Sequence, residues 1–137
     1  MSLFSCSSKT SEKNNITLES KIFKNDGKYL IVPLLYGCDG CVQKTYAFVE
    51  GNYANIINKN HFYVVWTQLK NKRQIEREYD EKFLKKFIID SLNVLGSEVD
   101  SYPVLIEVES GYINNKITLS PDNLDSELKS LKNYLIE

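Results

Sequence analysis

With 137 residues, 42% of them hydrophobic and 12% aromatic, the chain has the length of one domain and can bury roughly two thirds of the surface its unfolded form exposes. The 17 Lys and Arg against 18 Asp and Glu leave a net charge of −1 with no long block of one sign, which argues against a nucleic-acid surface. No window approaches the ~20 uninterrupted apolar residues of a membrane-spanning helix.

The first fifteen residues are polar and without period from Ser7 to Asn15, the composition of a solvated tether, so the chain divides into a tether, 1–15, and a domain, 16–137. Of the three cysteines, Cys38 and Cys41 are closely spaced and Cys6 is left over. Cys6 stands in Leu3-Phe4-Ser5-Cys6-Ser7-Ser8, which resembles the end of a bacterial lipoprotein signal. That resemblance implies acylation of Cys6 and a lipid anchor; the other reading is an incidental thiol in a frayed terminus.

Past the tether, Ile16, Leu18 and Ile22 alternate with polar residues and predict a half-buried strand. Asn25 to Lys28 carries turn chemistry. Tyr29 to Tyr36 is apolar on both faces, as in a strand covered on two sides, and Gly37 ends it. Val42, Tyr46, Val49, Tyr53 and Ile56/Ile57 then recur at helical spacing, up to a break at Asn58-Lys59-Asn60. His61 to Trp66 reads as a second buried strand. Residues 73 to 86 pair Glu78 with Lys82 and Glu81 with Lys85, with Ile75, Tyr79 and Phe83 on one face, which predicts a surface helix. Phe87-Ile88-Ile89 fits a continuation of that helix or a short strand equally well, and Asn93 to Ser101 reads as a loop. Tyr102-Pro103 leads into Val104 to Glu109, Ser110-Gly111 turns the chain, and Tyr112 to Leu119 pairs back. Ser120 as cap and Pro121 as first residue open a last helix with Leu124, Leu128, Leu131 and Leu135 as its buried stripe.

The Cys38-Asp39-Gly40-Cys41 motif thus lies where a buried strand hands over to a helix, followed by Tyr102-Pro103 ahead of a hairpin and by a closing helix. In this order the three features resemble the thioredoxin-like superfamily, over about residues 16 to 137. The resemblance implies an α/β fold with a central mixed β-sheet flanked by helices on both faces, Cys38 as exposed nucleophile, Cys41 as resolving thiol and Pro103 as a cis-proline facing them. It also implies that Gly37, Asp39, Gly40, Tyr102 and Pro103 line the substrate groove. The residues agree with this chemistry. A cysteine at the first turn of a helix has its thiolate favoured by unpaired N–H groups, and a second one three residues on can resolve a mixed disulfide.

Four departures stand out. Gly37 replaces the tryptophan familiar before the first cysteine, and Val32 stands where a buried acid helps deprotonate the second. Pro33 removes a ladder donor from the strand leading to the motif, and Asp39 opposes ionisation of Cys38.

The expected function is that of a lipid-anchored thiol–disulfide oxidoreductase in the bacterial envelope, facing the periplasm, without cofactor or metal, exchanging disulfides with protein substrates and a redox partner protein. The alternative is an envelope lipoprotein that uses the same scaffold as a binding module, its cysteine pair structural or idle. His61, the one histidine, reads as an ordinary loop residue, and Val42 after Cys41 excludes a haem-attachment motif.

Overall fold

The computed structural model describes residues 22–34, 39–69, 86–90, 93–95, 99 and 101–137, with Asp39 described in its backbone alone. β-branched and aromatic runs form five strands: β1 (Gly27–Pro33), β2 (Phe62–Thr67), β3 (Phe87–Ile89), β4 (Val104–Glu109) and β5 (Tyr112–Thr118). They make one mixed sheet in the order β3-β2-β1-β4-β5. β1, β2 and β3 run parallel, β4 is antiparallel to β1, and β5 is antiparallel to β4. Among the described residues three helices are bounded in full: α1 (Asp39–Gly51), α2 (Tyr53–Asn58) and α3 (Leu124–Ile136).

Because side chains alternate along a strand, the sheet has two cores. On one face Leu30, Val32, Val64 and Trp66 pack with Val49 of α1, Ile56 of α2 and the stripe Leu124, Leu128, Leu131 and Leu135 of α3. On the other face Tyr29, Ile31, Val65, Val104, Ile106 and Val108 pack with Ile22, Phe23, Leu95 and Val99. The central strand β1 is therefore buried from Tyr29 to Pro33 without interruption, as its continuous apolar run requires. The edge strand β5 is mostly exposed, and a bulge between Glu107 and Val108 bends the ladder it shares with β4.

Several expectations change here. Helices α1, α2 and α3 lie on one face of the sheet, and Val99, helical where a loop is expected, packs against the other; of the helix expected over 73–86 only Lys86 is among the described residues, and it is helical. Residues 16–21 of the expected first strand fall outside the described residues, while Ile22 lies in a turn and is buried against the second face. Phe87–Ile89 is a strand, and its register with Val64, Val65 and Trp66 makes it the outer parallel neighbour of β2. The helix expected from Val42 to Ile57 is two helices, divided at Asn52, whose side chain donates to the Phe48 carbonyl.

The last helix starts at Leu124 rather than Pro121. Asn123 Oδ1 accepts from the Ser120 N–H at 2.8 Å and Asn123 Nδ2 donates to the Thr118 carbonyl, so this side chain builds a turn and delays the helix.

Pro33 costs the sheet little. The Lys28 and Leu34 amides donate to His61 and Thr67 of the β2 side, so the alternating position of Pro33 faces β4, whose pairing with β1 has already ended at Ile31 opposite Val104. The Tyr102–Pro103 bond is trans, against the expected cis form. Pro103 is buried and its carbonyl accepts from the Leu119 N–H at 2.8 Å, which closes the hairpin pairing at the foot of β4.

Candidate functional site

Parallel strands followed by helices gather the chain's loops at the strands' C-terminal ends, the usual place for a site in such sheets. β1 ends at Pro33, α1 begins at Asp39, and the cysteine motif spans that junction. Cys38 and Gly37 lie outside the described residues, as does Cys6. Gly40 is exposed, with no atom within 4 Å of where a Cβ would stand.

Cys41 is 2% exposed and belongs to the helix-side core. It starts the stripe Cys41, Thr45, Val49 that α1 turns toward the sheet; the Thr45 hydroxyl donates to the Cys41 carbonyl at 2.7 Å. Tyr102 is half-buried and packs against the same core. The structure therefore brings Tyr102 and Cys41 to one cluster, at the end of the sheet where β1 finishes and β4 begins.

Beneath α1 the expected acid position is occupied by Val32, fully buried and paired in register with Trp66. Trp66 is packed between Tyr46 of α1, at 5.4 Å between ring centres, and Phe87 of β3, at 6.0 Å. Its indole N–H has no acceptor among the described residues.

The same end of the sheet carries a polar cluster that sequence reasoning missed. Asp90, directly after β3, is 3% exposed. Its carboxylate accepts from the Thr67 hydroxyl at 2.8 Å and from the Val94 and Leu95 N–H groups at 2.9 and 2.8 Å. Asn93 closes this turn in a left-handed conformation. The only signal in the sequence is an acid that ends a three-residue apolar run. Its satisfied geometry gives it a structural role, holding Leu95 over the second core.

The opposite end of the sheet is charged. The Lys28 ammonium meets Glu107 at 2.7 Å and holds that carboxyl below its ordinary range. Lys28 and Lys59 both lie over the Tyr134 ring, at 5.2 and 4.4 Å. Burial pushes the Tyr134 phenol up, opposed by Lys28. Lys86 donates to the Lys59 and Phe62 carbonyls, and burial lowers its ammonium. An open cavity of about 410 Å³ lies here, lined in part by Gly27, His61, Glu109 and Tyr134. Gly27 is obligatory at its floor: with φ +146°, a Cβ there would stand 2.4 Å from the His61 carbonyl oxygen.

Within the described residues, no three His, Cys, Asp or Glu side chains converge on a metal-binding geometry, and no helix is long and apolar enough to cross a membrane. Comparison with protein-family models, with curated proteins and with solved structures finds no match to this chain.

Proposed function

We propose that this chain is a thiol–disulfide exchange domain of thioredoxin-like topology, tethered to a bacterial membrane through an acylated Cys6, with Cys38 as nucleophile and Cys41 as resolving thiol. The observation that carries the reading is the position of Cys41: in the first turn of the helix that follows the central strand, buried and facing the sheet. The unit β1-α1-β2, the antiparallel pair β4-β5 and the closing α3 on the same face as α1 support the topology.

The domain needs no cofactor. Tyr102 and Pro103 border the groove for protein substrates, with Gly37, Asp39 and Gly40 on the motif side. The partners are proteins that carry the exchanged thiols and disulfides.

The test is to trap the intermediate. A Cys41→Ser variant, with Cys41→Ala as its control for core packing, accumulates mixed disulfides with envelope proteins and with glutathione, seen as added mass; Cys38→Ser accumulates none. Equal behaviour of all three variants would reject exchange.

The trans Tyr102–Pro103 bond and the apolar Val32 favour a second reading, a binding lipoprotein on the same scaffold whose cysteine pair is idle or structural. Under it no variant traps a partner, and the Cys38→Ser protein keeps its binding.

A further inference from the structure

We propose that the cavity where the parallel strands begin binds a free α-amino acid with a basic or neutral side chain, its carboxylate on Lys28 and its ammonium on Glu107. The inference stands apart from the exchange reading, because the cavity lies at the end of the sheet away from the cysteine motif.

Four separate stretches wall the cavity: the start of β1, His61 just ahead of β2, the end of β4, and Tyr134 in the last turn of α3. Backbone contacts fix the first three against one another. The Lys28 N–H donates to the His61 carbonyl at 2.9 Å. The Asp26 carboxylate accepts from the Ser110 and Gly111 N–H groups at 3.0 and 3.4 Å, which ties the entry of β1 to the turn after β4. The volume of about 410 Å³ falls within the range usual for small-molecule sites.

The charges decide the guest. Lys28 and Glu107 stand opposite each other in the β1–β4 ladder, their charged ends 2.7 Å apart and their side chains 29% and 34% exposed. An ammonium has three donors and a carboxylate several acceptor sites. Here the Lys28 ammonium has one acceptor, Glu107, and that carboxylate has two donors, Lys28 and Asn114. Both groups line the cavity with capacity to spare. An α-amino acid carries the same two charges on neighbouring atoms. Laid against the pair in the opposite sense, it closes a square in which every charge has its complement on two sides. One exposed ion contact contributes little, but a second made by the same ligand is intramolecular and adds to the first. A plain amine or a plain carboxylate completes only one of the two.

The remaining charges set the side-chain preference. Asp26 and Glu109 also line the cavity, and Glu109 has no partner among the described residues. Lys59, 4.4 Å from the centre of the Tyr134 ring, is not part of the wall. The lining thus carries three carboxylates and one ammonium, which favours a basic side chain and repels an acidic one. Val108 and the Tyr134 ring supply apolar wall for the ligand's carbon chain.

The experiment titrates the full chain with arginine, alanine and glutamate, and with agmatine, which is arginine without its carboxylate, following backbone amide shifts by NMR. Arginine is expected to give saturable shifts at Gly27, His61, Val108 and Tyr134, and to bind about tenfold or more tighter than either agmatine or glutamate. Lys28→Met and Glu107→Gln each weaken arginine by about tenfold with the rest of the amide spectrum unchanged, and Glu109→Gln narrows the gap between arginine and glutamate. Agmatine binding as tightly as arginine overturns the amino-acid reading in favour of a plain cation site. No saturable shift up to the solubility limit overturns the site altogether, and either result leaves the exchange reading untouched.

Discussion

The two faces of the sheet are closed by different means. On one, three helices lay aliphatic stripes over Leu30, Val32, Val64 and Trp66. On the other, the described cover is turn and loop at Ile22, Phe23 and Leu95 with helical Val99 beside them, and polar groups help to hold it down. Asp90 ties Val94 and Leu95. The Tyr29 hydroxyl both donates to the Asn25 carbonyl and accepts from the Asn25 N–H, while its ring meets Phe23 edge-on and Tyr63 in a stack, each at 4.9 Å. A helical cover draws on apolar area spread over many residues; a loop cover concentrates its attachment in a few polar contacts that have no substitute.

The largest test of this contrast is Leu131→Ala on α3. It removes a buried side chain from the middle of the helical stripe and is expected to cost about 2–5 kcal/mol in urea unfolding, with loss of protection spread over the whole domain. Asp90→Ala strands two backbone donors, the Val94 and Leu95 N–H groups, and leaves the Thr67 hydroxyl only Asn93 Oδ1 at 3.2 Å, with an expected cost of about 1–3 kcal/mol. Hydrogen exchange distinguishes the two: Asp90→Ala speeds exchange at Val94 and Leu95 and leaves α3 protected. An equal response of both faces would break the comparison.

The smallest effect is a pH dependence confined to the loop-covered face. Burial pushes the Tyr29 phenol up from 10.0 to about 12, opposed by its hydrogen bond to Asn25. The folded state thus holds that proton more tightly than the unfolded one, so the contribution is complete below pH 10 and is lost as the pH rises toward 12. At ~1.4 kcal/mol per pH unit the loss approaches about 2 kcal/mol. Tyr29→Phe, followed by thermal unfolding from pH 9 to 12, is expected to flatten that decline.

The same contrast separates what could be read in the sequence from what could not. The α3 stripe recurs at three- and four-residue spacing, and β1 and β2 are runs of β-branched and aromatic residues; local pattern alone carries them. Ser110-Gly111 announces its turn, and both residues take the positive φ angles that a tight hairpin demands. Phe87–Ile89 was ambiguous because strand pairing with β2 decides it, and that partner is some twenty residues away. The α3 start was misplaced because Asn123 reaches back to Ser120 and Thr118, a competition between turn and helix that spacing does not reveal. At the site, the cysteine motif and its strand–helix junction were legible. The roles of Asp90 and Trp66, and the trans bond before Pro103, depend on tertiary placement.

The bulge between Glu107 and Val108 has a consequence for molecules kept side by side. β5 offers a seven-residue sheet edge, a template on which a neighbour's strand could add. Anchoring to a surface would confine many copies to two dimensions and raise their encounter rate far above that in dilute solution. A bent ladder and the polar run Asn114-Asn115-Lys116 along that edge oppose polymerisation there, so that crowding need not become fibre growth.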